Sequence, residues 1–240
     1  SIMNFSQISS LALAASFALG ATTAGAVEVT GGSVGLSYSA FAEDTDFNHW
    51  GLEGAMELGF NRDFSLQIDA AYHDFGFTDI DSTLLGLHGI YHLNDATSFG
   101  AFYTFEDVEG DEADIFGIEA GYEVREWEFE GYIANVDTDL GDATLGGIKA
   151  RYEMQEGFGL TGSYDMADDD TGDLSRFAIR LDRDVSVNTN LFLEVGSAKA
   201  EAGGVNVSEP FVGLGGEIAF GADRGTTFDQ RGLARLIPGL

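Results

Sequence analysis

From residue 27 onward, apolar and polar positions alternate with a period of two, the repeat of strands with one apolar and one polar face. Trp50, Leu52, Met56, Leu58 and Phe60 alternate with Gly51, Glu53, Ala55, Glu57 and Gly59. Phe64, Leu66, Ile68, Ala70 and Tyr72 then alternate with Ser65, Gln67, Asp69, Ala71 and His73. Only Asn61, Arg62 and Asp63 separate the two runs, which marks a tight hairpin. The same pattern recurs over 33–41, 82–93, 97–106, 114–125, 127–136, 144–154, 158–166, 174–182, 187–198 and 210–220. It predicts an all-β, antiparallel, up-and-down barrel of about twelve strands, with ten or eight as alternative counts.

Connections of two kinds alternate along the chain. Short ones fall at 61–63, 94–96, 125–126, 155–157 and 183–184; longer, mostly acidic ones are predicted at 43–46, 74–81, 106–114, 137–142, 168–173 and 199–206. A closed up-and-down barrel places every second connection at the same end, so this alternation predicts an even number of strands. A water-soluble sandwich or lipocalin-like barrel shares the period of two, which by itself does not say which face is inside. Three features favour a transmembrane barrel. The non-apolar face is rich in Gly, Ser, Thr and charge. The apolar face is free of charge over the span of a bilayer. Aromatics including Phe60, Phe64, Tyr91, Phe99, Tyr122, Trp127, Phe129, Tyr152 and Phe158 gather near the turns, as an interfacial girdle requires.

Composition narrows the partners. The 240 residues carry 11 basic and 41 acidic side chains, a formal net charge of −30, which opposes binding to nucleic acid and electrostatic docking on an anionic bilayer. The absence of cysteine excludes disulfides, thiolate catalysis and cysteine-ligated metals. Residues 1–26 read differently: an apolar, small-residue run ends Thr22-Thr23-Ala24-Gly25-Ala26 and has the form of a signal peptide cleaved after Ala26, although no basic residue precedes it. Its apolar stretch is shorter than the roughly 20 residues of a transmembrane helix. The expected organisation is therefore a signal peptide over 1–26, a barrel over 27–221 and a C-terminal tail over 222–240.

Val212-Gly213-Leu214-Gly215-Gly216-Glu217-Ile218-Ala219-Phe220 resembles the final strand of Gram-negative outer-membrane β-barrels of the porin-like kind. The resemblance implies an outer-membrane location, short turns facing the periplasm, a membrane of lipid and lipopolysaccharide around the wall, and Phe220 as the aromatic that barrel-assembly machinery reads. In that family the aromatic closes the chain, whereas here residues 221–240 follow. Three places are open to the tail: a disordered periplasmic end, which is the first expectation, a partner-binding peptide, or a segment entering the lumen.

With the polar face inward, the lumen is expected to carry Glu53, Glu57, Asp69, Glu119, Glu123, Glu194 and Glu217 against the basic Lys149, Arg151, Arg176 and Arg180. Counting from the hairpins sets Glu130 opposite Lys149, Glu128 opposite Arg151 and Asp165 opposite Arg176. The seven carboxylates named first gain no basic partner by this counting, which favours a wet lumen over a packed one. Ser65, Asp69, His88 and His92 converge on the inward face and are read as polar lining rather than as a hydrolytic centre, so no enzymatic activity is expected. Asp137, Asp139, Asp142, Asp168, Asp170 and Asp173 are weak candidates for divalent cations; they lack the terminal bidentate glutamate of an EF-hand, and no other cofactor is expected. The resulting expectation is a porin-like channel, monomeric or oligomeric, for passive diffusion of ions and small solutes with weak cation preference. The alternative is a non-conducting surface barrel that anchors or adheres through its acidic loops.

Overall fold

In a computed structural model the described residues are 27–76, 80–139, 141–169, 171–222 and 225–237; the expected signal peptide lies outside them. Twelve strands form one closed antiparallel barrel in chain order: β1 (Glu28–Phe41), β2 (Asn48–Gly59), β3 (Phe64–Phe75), β4 (Ile80–Asn94), β5 (Thr97–Val108), β6 (Asp111–Val124), β7 (Trp127–Thr138), β8 (Gly141–Glu153), β9 (Phe158–Asp169), β10 (Gly172–Ser186), β11 (Thr189–Ala202) and β12 (Val205–Gly221). Closure is made by β1 against β12, with Gly32 opposite Phe220 and Phe41 opposite Phe211. β12 is therefore the last strand and Phe220 sits near its end.

The barrel wall is apolar on the outside. Ile118, Phe116, Ile133, Ile148, Leu193 and Ile218 are each more than half exposed, an arrangement that costs heavily in water and suits lipid. Aromatic pairs ring both ends of this band. Phe64 and Tyr91 have centroids 5.1 Å apart, and Trp127 and Tyr152 4.8 Å apart, near the end where β1 starts and β12 stops; Tyr38 and Trp50, 4.7 Å apart, stand toward the other. These two ends are called the terminal end and the far end below.

Strands of 12 to 17 residues exceed the roughly 9–11 that cross a bilayer. The surplus shortens four of the expected long connections, while the one after β1 spans 42–47. Pairing runs out to Val108–Asp111, Thr138–Gly141, Asp169–Gly172 and Ala202–Val205, so the acidic stretches continue the hairpins, with Asp107 opposite Glu112 and Asp137 opposite Asp142. Glu109 and Gly110 have φ of 55° and 92°, as do Gly203 and Gly204 with 59° and 80°; positive φ at both central residues is the signature of the tightest hairpin turn. Charge at the hairpin tips had the look of loop because solvated strand ends tolerate any polar residue.

The interior has two unlike halves. Toward the terminal end a polar cavity of about 1380 Å³ is lined by Asn61, Asp95, Glu123, Asp184 and Asn188 at its mouth and by Ser163, Arg180 and Glu217 deeper in. Toward the far end the inward side chains pack. Ile115, Val136 and Leu145 are 0–1% exposed and form a cluster with Phe102, Ala113 and Ala134, while Phe75, Leu84 and Phe211 are buried on the neighbouring wall. The polar cavity also continues past Ser37, Ser39, His49 and Arg176 on the β1, β2 and β10 side, so the packed cluster fills only part of the far half.

Candidate functional site: a tail-filled lumen

The chain does not stop at β12. Residues 225–237 lie inside the barrel, running from the terminal end toward the far end, so the tail takes the third of its three open places. Each step of the path has its own partner. Near the terminal end the Thr227 amide donates to Glu57 Oε2 at 2.8 Å. Phe228, 1% exposed, exchanges two hydrogen bonds with Gln67: the Gln67 amide donates to the Phe228 carbonyl at 2.8 Å, and the Phe228 amide donates to Gln67 Oε1 at 3.2 Å. The Phe228 ring fills a hollow left by two inward glycines. A Cβ on Gly100 would stand 2.9 Å from the ring, and one on Gly121 3.3 Å.

At mid-barrel the Gln230 side chain donates to the Gly54 carbonyl at 2.7 Å. Arg231, buried to 4%, bridges two carboxylates: its Nε donates to Glu119 Oε2 at 3.0 Å and its Nη2 pairs with Glu130. The guanidinium also lies 4.2 Å from the Tyr132 ring centroid. Farther on, both oxygens of Glu106 receive backbone amides, from Leu233 at 2.5 Å and Ala234 at 3.0 Å, which caps the single 3-10 turn Ala234–Leu236. Leu236, 2% exposed, completes the apolar cluster of Ile115, Val136 and Leu145, with Leu233 and Ile237 packed against it.

Carboxylates that counting along the strands left without partners find them in three sources. The first is the tail: Glu57 and Glu119 hold it, together with Glu106 and with Glu130, which also keeps the Lys149 partner expected from counting, and Arg235 approaches Glu53 to 3.9 Å. The second is His88, whose Nε2 meets Asp69 at 2.8 Å and whose Nδ1 meets Glu119 at 2.6 Å, both across the interior of the sheet. His88 thereby links Asp69 and Glu119 through its two ring nitrogens. The third is β10: Arg176 and Arg180 both pair with Glu194 on β11, the latter at 3.1 Å. Arg176 faces Asp165 in register, as counted, but its ion pair goes to Glu194, and Asp165 accepts from the Tyr132 hydroxyl at 2.9 Å.

Other counted pairs meet directly. Lys149 joins Glu130 at 3.0 Å and adds Asp229 of the tail at 2.7 Å; Arg151 joins Glu128 at 3.3 Å and Asp182 at 2.8 Å. Burial works against the Asp229 charge, but Lys149, Arg235 and Arg231 around it outweigh that cost and hold its pKa below the usual carboxylate range. The result is one buried chain of alternating charge across the barrel: Asp69, His88, Glu119, Arg231, Glu130, Lys149, Asp229. Such a network is stable only while every member keeps its partner.

Glu123 and Glu217 face the cavity and have no cation within ion-pair distance among the described residues. Ser65 sits between Glu57 at 2.6 Å and His92 at 2.9 Å, and His92 Nδ1 contacts Ser98 at 2.9 Å. Glu57 also receives the Thr227 amide at the tail's entry, and Ser65, 5% exposed, lies at the cavity wall with Glu57 and His92. Asp137, Asp139, Asp142, Asp168 and Asp173 stand at the far-end rim, while Asp170 lies outside the described residues; among the described residues no group of three metal-ligating side chains converges.

Comparison with known proteins agrees with the architecture. The KdgM porin aligns with a TM-score of 0.59 at 13% identity, over 78% of this chain and 99% of its own. The NanC porin aligns with a TM-score of 0.60 at 8% identity, over 78% and 98%. The COG4313 outer-membrane channel from Pseudomonas putida F1 aligns with a TM-score of 0.59 at 15% identity, over 83% and 97%. At these identities the likeness is one of fold. No family model and no curated protein sequence matches the chain.

Proposed function

We propose that this chain, which has the barrel fold of the outer-membrane porins, is a small outer-membrane channel for ions and small solutes with a weak preference for cations. Its terminal end faces the periplasm. The observation that carries this reading is the water-accessible cavity of about 1380 Å³ that opens among the terminal-end turns, too large and too polar to be a packing defect. Its lining includes Glu53, Asp165, Glu123 and Glu217, carboxylates with weak cationic partners or none at ion-pair distance, so cations concentrate in it and anions are disfavoured. Twelve strands leave a lumen well below that of the 16- to 18-stranded porins, which limits passage to small species. The test is the reversal potential of the purified protein in a planar bilayer under a salt gradient. Cation-signed potentials that fall toward zero in a Glu123→Gln, Glu217→Gln variant support the reading, and anion-signed potentials overturn the selectivity.

The packed far half favours a second reading, a non-conducting surface barrel. Ile115, Val136, Leu145 and Leu236 pack together in that half, so the tail occupies part of any conducting path. Absence of discrete conductance steps from a folded barrel with and without its tail would establish this second reading over the first.

A further inference from the structure

The manner in which the tail is bound differs from the way a barrel packs its own interior. Its contacts point outward from the segment to the wall: backbone amides of Thr227, Phe228, Leu233 and Ala234 to Glu57, Gln67 and Glu106, one ring in a glycine hollow, one guanidinium in a carboxylate clamp. These are the features by which a groove recognises a peptide. The barrel itself closes without any of them, since β1 pairs with β12 from Gly31–Gly221 to Phe41–Phe211. The site is also reachable. The wet cavity leads from the terminal-end mouth to the flank of the tail, and Thr226, Thr227, Asp229, Gln230, Arg231 and Arg235 all line it. The cavity already flanks the polar side of the bound segment, so lifting it out needs no opening of the wall.

We infer that the lumen is a saturable peptide-binding site and that residues 225–237 are its built-in occupant, a releasable plug that closes the channel from the periplasmic side. The site takes a peptide with an aromatic residue, an arginine three positions later and leucines two and five positions beyond that, the spacing of Phe228, Arg231, Leu233 and Leu236. Specificity comes from Glu119 and Glu130, which fix the arginine, and from Gly100 and Gly121, which admit the ring. With the plug in place Leu233 and Leu236 pack on the apolar cluster of the β5–β8 wall and narrow the lumen; once it leaves, the space it held opens to water. The gating half of this inference rests on the channel reading, whereas the peptide site does not.

The two halves separate in one experiment. A protease site placed between Ala222 and Thr226 allows the barrel to fold with its tail and be cut afterwards. A fluorescent synthetic peptide of residues 225–237 is then offered to the cut, washed barrel. Expected is saturable binding, followed by anisotropy, that an unlabelled copy competes away and that a peptide with Arg231→Glu fails to match by at least tenfold. In bilayers, washing out the tail raises conductance, and the peptide returns it to the uncut level only from the side carrying the terminal end. No exchange of peptide into the cut barrel, or equal binding of a scrambled peptide, would overturn the peptide site. Binding without any conductance change would leave the peptide site standing and overturn gating together with the channel reading. Conductance that rises on cutting but is insensitive to peptide would overturn the plug and leave the channel intact.

Discussion

Replacing Arg231 with alanine is expected to loosen the tail by roughly two orders of magnitude. Arg231 is 4% exposed and couples Glu119 to Glu130, so its loss leaves two buried carboxylates short of a partner. Removing one member of a buried ion pair costs about 3–5 kcal/mol. Glu119 retains His88 and Glu130 retains Lys149, which places the expected cost at the lower bound, about 3 kcal/mol. At about 1.4 kcal/mol per factor of ten, that is a docking equilibrium weakened about 100-fold. The lack of native cysteine supplies a clean assay. Ala234, 3% exposed beneath Glu106, is replaced by cysteine, and its maleimide-labelling rate reports how often the tail leaves. In the Arg231→Ala background the rate should rise by one to two orders of magnitude, and Arg231→Lys should fall between, keeping the charge but losing the two-pronged contact. A rate within twofold of the parent would refute the clamp as the tail's main latch.

Three further outcomes follow from the same geometry. Gly121→Leu intrudes on the Phe228 ring, which already stands 3.3 Å from the position of a Cβ, and should raise labelling at residue 234 without altering barrel formation, read by heat-modifiable gel migration. Ile118→Lys places a charge on the lipid face near the middle of β6, where about 2–4 kcal/mol is expected, and should reduce folding into bilayers in urea titrations. Ser163→Lys, at the middle of β9 but lining the cavity, should fold as the parent does and shift the reversal potential toward anions; equal folding defects for these two lysines would contradict the inside-outside assignment.

How far the sequence revealed this arrangement varies by element. The twelve strands and many pairings were legible because a period of two, once one hairpin is fixed, determines the register of its neighbours: Glu130 with Lys149 and Asp69 near His88 came from counting alone. The packed far half was not, although a signal existed. Alternation fails at Leu84-Leu85, Phe102-Tyr103 and Ile115-Phe116, where both faces are apolar, and a strand apolar on both faces is packed on both. The tail's place in the lumen is only one of three that the sequence leaves open, because its last turn forms against Glu106 and no local pattern encodes it. Its composition nonetheless differs from that of the barrel: Arg224, Arg231 and Arg235 put three of the 11 basic residues of an acidic chain within its last 17 positions. A basic segment that also carries Phe228, Leu233 and Leu236 is complementary to a lumen lined with carboxylates, and that complementarity is visible only when the inward face is considered as a whole. The paired carboxylates follow the same logic. Strand-by-strand counting cannot supply Glu57, Glu106 or Glu119 with partners that arrive from 100 or more residues away.

The most direct measurement is single-channel recording of the full chain beside a chain ending at Ala222, both shown to be folded, in the same bilayer under a potassium chloride gradient. The expected result is rare, small events from the full chain and sustained, cation-preferring steps from the shortened one. Identical conductance from the two, or silence from both, would contradict a channel closed by its own C-terminal segment.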